Sequence, residues 1–426
     1  MDQSRSSIVL LSFFVLGLGL WIYRSSEAPD LYPRPTKVPT KVPTKTPSDQ
    51  PDQPDQPDQP WYSLLPQQDS PRLSDDLDKK SLRRALISSL RYYKRRNPEE
   101  LIRFGPHEVM VKDMARTIAD LRDAVTKWGL SPRFYSWIEE NFRFYRCKAS
   151  EMVVTGYYLA SLRASWERSE DYPYPVYRRP GDLCRVNLRQ FPFFEDVQGL
   201  PAAIKGRVTE ERDVHPYWTR EEIDFESALS GRGEELLWVD SLVDLHSLHV
   251  QGSGVAYMNS GEEILLGYAD SNGHYFRGIG AHLIENGLVP DGVRSSQEID
   301  EFLSQRPHMW RSVFSANPSY VFFTKRKGGP VGCLNVPITA GRTIATDHRY
   351  FPPGAIALLE CERPVFSSDG KLLRWKRFRR FVVNQDTGGA IKGARRLDLY
   401  FGHGSENARM AGSMKQGGVL WFMKKR

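Results

Sequence analysis

The sequence predicts a mainly β protein with helices gathered on its N-terminal side, and three observations carry that prediction. Between residues 77 and 142 apolar side chains recur at helical spacing. After Glu151 the chain changes to short runs rich in β-branched and aromatic residues, separated by Gly, Pro, Asn and Asp. Residues 1 to 60 follow neither pattern and cannot build a core. At 426 residues the chain is long enough for two packed domains. A hydrophobic content of 40% and a charged content of 26% make most of it globular and exclude a multi-pass membrane protein.

Residues 1–28 contain the apolar run Ile8 to Tyr23 (IVLLSFFVLGLGLWIY), flanked by Arg5 and Arg24. Its length of about 16 residues lies between a signal-peptide core and a spanning helix of roughly 20. The following SSEAPD is a poor cleavage site, so an uncleaved membrane anchor is expected. The first cysteine is Cys147, which leaves no lipobox cysteine for thioether lipidation. Residues 29–60 (PTKVPTKVPTKTP, then PDQPDQPDQPDQP) place a proline every three or four positions, which enforces an extended, unpacked spacer. At about 3.1 Å per residue it reaches roughly 100 Å.

Leu82, Leu86, Leu90 and Tyr93 then share one helix face, and Met114, Ile118, Leu121 and Val125 share another. Ser131-Pro132 starts a third helix that carries Phe134, Trp137, Ile138 and Phe142. From Val153 to Tyr268 an all-β unit is expected, with His246 and His249 of VDLHSLHVQGSG on opposite faces of a strand. One helix is predicted near Ile279 to Asn286. Strands resume at Tyr320 to Thr324, Ala355 to Leu359, Phe378 to Val383 and Leu397 to Phe401, and GGVLWFMKKR closes the chain as a strand.

The chemistry-bearing motifs are few. There is no Walker loop, GxSxG elbow or HExxH, and Cys147, Cys184, Cys333 and Cys361 stand far apart with no CxxC pair. No metal site and no cofactor are expected. A formal charge of +7 favours acidic partners, and the export segment argues against nucleic acid among them. Three aspartates stand out near strand ends: Asp347 in TIATDHRYFPPG, Asp386 in VVNQDTGGAIKG and Asp398 in RRLDLYFGHG. An aspartate beside a turn is ordinarily a capping residue. Three in one small β unit raise the question whether they converge.

These segments, with VTGYYLASLRAS, YPYPVYRRP, LVDLHSLHVQGSG, GYADSNGHYFRGIG, NPSYVFF and AGSMKQGGVLW, stand in order from about residue 150 onward. In this the chain resembles the membrane-bound lytic murein transglycosylase A family, whose C-terminal part is a three-aspartate (3D) domain. The resemblance implies a double-psi β-barrel domain built from residues 61–160 and 318–426, with a second β-barrel inserted over 161–317. It implies a glycan groove between the two.

It further implies cleavage of the β-1,4 bond between N-acetylmuramic acid and N-acetylglucosamine, with the muramyl C6 hydroxyl closing a 1,6-anhydro ring. Asp398 matches the catalytic acid and Asp386 its neighbour. Asp347 is expected to support the barrel. Thr155, Tyr157, Tyr158 and Gln251 match groove positions, with tyrosine faces against sugar; Gly388 and Gly389 either let the backbone approach the glycan or form a tight barrel turn, and Lys392 is expected to contact substrate with them. Lys392 complicates the chemistry, because a cation near both acids favours their ionised forms. A departure from the family is His246 and His249, where relatives carry aromatics. The expected protein is a monomer that acts on peptidoglycan strands, anchored at the periplasmic side of the inner membrane or exported to the periplasm. The competing reading is a non-catalytic, expansin-like wall-binding or wall-loosening protein.

Overall fold

The computed structural model describes residues 71–147, 152–194, 197, 200–289 and 295–426, and the backbone of Tyr62–Leu64. The apolar run Ile8–Tyr23 and the proline tract lie outside them. Helices form where the apolar period and a cap coincide. In α1 (Lys79–Tyr93), the side chain of Asp78 accepts from Ser81 N at 2.9 Å. The second helix, α2 (Val111–Trp128), ends at Gly129, whose φ of 64° suits glycine. Ser131 caps α3 (Pro132–Asn141), which has proline in its first turn as predicted. It stops one residue before Phe142, which opens a strand instead. The predicted faces of the three helices are buried in one core with the C-terminal strands.

The strands are β1 (Tyr62–Leu64), β2 (Leu101–Phe104), β3 (His107–Met110), β4 (Phe142–Cys147), β5 (Met152–Ser165), β6 (Tyr174–Tyr177), β7 (Leu183–Asn187), β8 (Ala203–Val208) and β9 (Val214–Pro216). After them come β10 (Glu235–Val239), β11 (Ser253–Met258), β12 (Glu263–Ser271), β13 (Val321–Arg326), β14 (Thr343–Ala345), β15 (Ile356–Phe366), β16 (Leu372–Asp386), β17 (Arg396–His403) and β18 (Lys415–Lys425). Six of these pair in a circuit. β5 runs parallel to β17, β17 antiparallel to β14, β14 parallel to β16, β16 antiparallel to β15, β15 antiparallel to β18, and β18 antiparallel to β5. Gly156 of β5 is required at this crossing, because a Cβ there would lie 2.7 Å from the Ala411 backbone.

The second region grows from the same strand. From Ala160 onward β5 pairs with β11, and its last two residues pair with β10. β12 and β13 extend the sheet, β6 pairs β10, and β7, β8 and β9 form a small sheet of their own. β5 therefore crosses the expected division at 160. β13 lies beyond 317 yet pairs with β12 and buries Phe322 and Phe323 in the cores of this region.

The all-β expectation for this stretch needs correction. It contains α4 (Arg220–Asp224), α5 (Leu242–Gln251), α6 (Ile279–Glu285), α7 (Ser296–Ser304) and α8 (Trp310–Phe314), and α9 (Ser405–Ser413) follows before the last strand. Only α6 was predicted. His246 and His249 lie on α5, three residues apart on one buried face, not on a strand. Leu242, Leu245 and Leu248 share that burial, and Ser241 caps the helix by accepting from Asp244 N at 3.1 Å. His246 stacks on Phe314 at 4.9 Å, and Nδ1 of His249 meets Arg220 Nη1 at 2.8 Å. Both are core residues.

Two ion pairs fasten the segment that leads into α1 to the circuit. The guanidinium of Arg342, fully buried, donates to both oxygens of Asp75 at 2.5 and 2.9 Å, and that of Arg380 does the same to Asp76 at 2.8 Å each. Removing one partner of the fully buried Arg342–Asp75 pair costs about 3–5 kcal/mol. Among the described residues the buried clusters begin at Leu73, so a chain starting at Gln56 keeps every described contact. No helix among them is long and apolar enough to cross a membrane, and no disulfide joins the four cysteines.

Candidate active site

Strand register brings two of the three aspartates together. Ala345 of β14 is paired with Asp386 of β16 on one side and with Asp398 of β17 on the other, and Thr155 of β5 is the next partner of Asp398. Neighbouring strands lie about 4.8 Å apart, so the backbones of the two acids are about 10 Å apart across the sheet. The charge of Asp386 acts on the Asp398 carboxyl.

The position of Asp386 is set by the residue before it. Gln385, fully buried, donates to Ala85 O at 2.8 Å and Ser89 Oγ at 3.1 Å, and accepts from Thr343 Oγ1 at 2.8 Å. The carboxylate is then surrounded by donors: Cys333 N and Thr387 N both reach Oδ1 at 2.9 Å, and the Tyr157 hydroxyl reaches Oδ2 at 3.0 Å. Burial pushes its pKa above the ordinary range, and these hydrogen bonds oppose the rise.

Asp398 is supplied differently. Thr155 Oγ1 donates to its Oδ1, and Arg396 Nη2 lies 3.4 Å from that same Oγ1. Burial is the main influence on the carboxyl and pushes its pKa up to about 6; Arg396 pulls it down and the charge of Asp386 adds to the rise. A carboxylic acid protonated near pH 6 is a competent proton donor.

Asp347 does not join this pair. Its carboxylate binds the Arg349 guanidinium and accepts from Gly393 N at 2.9 Å, which ties down the loop between Asp386 and Asp398. Burial alone would raise its pKa, but the Arg349 and Gly393 contacts hold it below the ordinary value.

The other predicted groove residues separate into two sets. Thr155 and Tyr157 face the acids, with the Tyr157 ring 5.1 Å from Tyr400 at 40°. Tyr158 points elsewhere: its backbone N donates to Gln251 Oε1 at 3.1 Å, and burial pushes its phenol up to about 12. Gln251 thus orients β5. A Cβ on Gly388 would meet Ile391 at 3.2 Å, whereas one on Gly389 would enter open space. Lys392 is exposed and forms no ion pair among the described residues. The cation that acts on Asp398 is Arg396, which sequence reasoning passed over. Its signal was present in RRLDL, because residues two apart on a strand share a face. The backbone N–H of Cys333 had no comparable signal. Among the described residues no group of three or more His, Cys, Asp or Glu is arranged to hold a metal.

Two family models match this chain: the MltA specific insert domain over residues 153–324 and the 3D domain over residues 342–424. Over these two spans the chain is similar to the MltA family. All three aspartates fall within the 3D match. Membrane-bound lytic murein transglycosylase A of Escherichia coli K12 is 30% identical over 273 residues, 63% of this chain and 65% of that protein. The chain therefore aligns with somewhat under two thirds of the length of that relative. A crystal structure of a membrane-bound lytic murein transglycosylase from Agrobacterium tumefaciens matches with a TM-score of 0.70 at 28% identity, covering 86% of this chain and 98% of that one. MltA from Neisseria gonorrhoeae matches with a TM-score of 0.64 at 28% identity, covering 85% and 92%.

Proposed function

We propose that this chain is a lytic transglycosylase that cleaves the β-1,4 bond between N-acetylmuramic acid and N-acetylglucosamine in peptidoglycan. The observation that carries the reading is the unequal pair: Asp386 held by three donors beside Asp398, whose carboxyl stays protonated to about pH 6. In the proposed step Asp398 gives its proton to the bridging oxygen as the C1–O4 bond breaks. The muramyl C6 hydroxyl adds to C1, forming C1–O6, and its proton passes to the Asp398 carboxylate. No water enters and the acid is restored. An inverting hydrolase instead sets two carboxyls about 6.5–9.5 Å apart around a water, and a retaining one uses a carboxylate nucleophile. An intramolecular nucleophile needs one proton carrier.

Thr155 and Arg396 position that carrier, and Tyr157 with Asp386 sets its charge environment. Gly388, Gly389 and Lys392 lie on the loop the glycan meets, with Tyr158 and Gln251 bracing β5 behind it. The closed strand circuit with two parallel pairs supports the double-psi barrel reading, and the sheet from Ala160 to Arg326 supports an inserted second domain. The protein is placed at the periplasmic side of the inner membrane through residues 1–28, as a monomer without cofactor. The deciding experiment is mass spectrometry of muropeptides released from purified sacculi. Products one water lighter than the hydrolytic equivalents are expected. Reducing-end products of ordinary mass, or no release, overturn the proposal.

A further inference from the structure

The hairpin of β15 and β16 carries a feature that the carboxyl chemistry does not use. Beyond Cys361, β15 pairs with β16 alone among the described strands. The segment from Arg363 to Arg377 holds Arg363, Lys371, Arg374, Lys376 and Arg377, with Asp369 as its one acid. Register sets Arg363 directly opposite Lys376, and Arg374 follows on the same face two residues along. Like charges facing each other across strands are destabilising. No acid forms an ion pair with Arg363, Arg374 or Lys376 among the described residues; Lys371 pairs with Asp369, and Arg377 lies 3.9 Å from Glu360. Leu372 and Leu373 lead the tip at 47% and 64% exposure. Half-buried Trp375 packs on the first core from the other face, and Arg409 covers the Phe366 ring at 5.8 Å. The hairpin is therefore braced through Trp375 and Phe366 on one face and carries repelling cations on the other, with Leu372 and Leu373 exposed at its tip.

From this we infer that the hairpin tip docks on an anionic lipid surface. Leu372 and Leu373 enter the headgroup region, and Arg363, Arg374 and Lys376 meet lipid phosphates. Charge complementarity accounts for the unpaired cations, since an anionic surface removes the repulsion between Arg363 and Lys376. The leucines separate lipid from other polyanions, because a carboxylated wall polymer engages cations and gives two leading leucines nothing to enter. The expected anchor at Ile8–Tyr23 strengthens the case. A tethered body meets the membrane at high effective concentration, so a weak docking surface suffices.

The test uses the chain from Gln56, which lacks the apolar run. Co-sedimentation is measured with phosphatidylcholine vesicles with and without phosphatidylglycerol. Binding is expected only to the anionic vesicles and is expected to weaken as salt rises. Arg363→Gln, Arg374→Gln and Lys376→Gln together should lower partitioning by about a hundredfold, and Lys376→Gln alone by about fivefold. Leu372→Asn with Leu373→Asn should weaken binding about tenfold while leaving its salt dependence in place. Thermal melts of the charge variants should match or exceed wild type, which separates lost docking from lost folding. The inference fails if anionic vesicles are not bound, or if the triple variant binds them as well as wild type. It fails equally if the triple variant loses binding to purified sacculi while wild type ignores vesicles. None of these outcomes depends on the transglycosylase reading.

Discussion

The end of β16 and the start of β17 hold one acid each, and they treat it in opposite ways. At Asp386 three donors from three separate segments converge on the carboxylate, so its geometry is fixed from several sides. At Asp398 one hydroxyl reaches one oxygen, and a single arginine stands behind that hydroxyl. Both carboxyls are desolvated. The comparison teaches that burial alone does not assign roles to paired acids; the donors do, by stabilising charge at one site and leaving the other free to hold a proton.

The largest expected effect comes from removing the less supported acid. Asp398→Asn keeps size and most hydrogen bonding but has no proton to give, so release of anhydro-muropeptides should fall by about 10²- to 10⁴-fold while sacculus binding persists. Near-wild-type turnover would sink the assignment. The same variant tests the pKa through stability. A carboxyl raised from 3.8 to about 6 on folding contributes stability below its unfolded pKa and loses it as pH rises through 6. The Asn variant cannot ionise, so its melting temperature should gain on wild type between pH 4 and pH 7; parallel melting curves would contradict the raised value.

Tyr157→Phe sharpens the comparison from the other side by taking one donor from Asp386. Asp386 should then hold its proton to higher pH and repel Asp398 less. The pKa of Asp398 falls, and the alkaline limb of the pH–rate profile should move down, with about a tenfold loss of rate above it. A limb that stays in place would show that the two acids are not coupled.

Arg396→Gln should act in the reverse direction. Without the guanidinium, Asp398 keeps its proton to higher pH and the alkaline limb moves up, whereas Arg396→Lys should leave it near its original position. A merely structural arginine would lower the rate without moving the limb. The smallest catalytic effect is expected for Asp347→Asn, which loosens the loop tied by Arg349 and Gly393. It should lower the melting temperature by a few degrees and leave the pH profile unchanged.

Much of this arrangement was legible in the sequence where a local rule and the tertiary fold agreed. Ser131-Pro132 marked a helix start, and the apolar faces around Leu86 and Ile118 marked the core. The acids at strand ends were visible because Gly and Pro punctuate the runs before and after them. VDLHSLHV stands among short β-like runs, yet the Ser241 cap and three leucines at helical spacing decide for α5 and place His246 and His249 on a helix. The convergence of Asp386 with Asp398 across Ala345 depends on strand register, which spacing along the chain does not reveal. Arg396 is hidden for a different reason: Lys392 in the loop is the more conspicuous cation in the sequence, although alternation along β17 favours the arginine.

The continuity of β5 also has a consequence for how the chain folds. Its N-terminal half is completed only by β17 and β18, and Thr155 stands 243 residues before its partner Asp398. Its C-terminal half is completed much sooner, by β10 and β11. During folding the strand can therefore be half paired, with an open edge waiting for the end of the chain. Long-range pairing of this kind is slow and leaves an edge that recruits other chains. Loss of even the last strand would leave that edge permanently exposed, and the expected phenotype of such a truncation is aggregation rather than a smaller active enzyme.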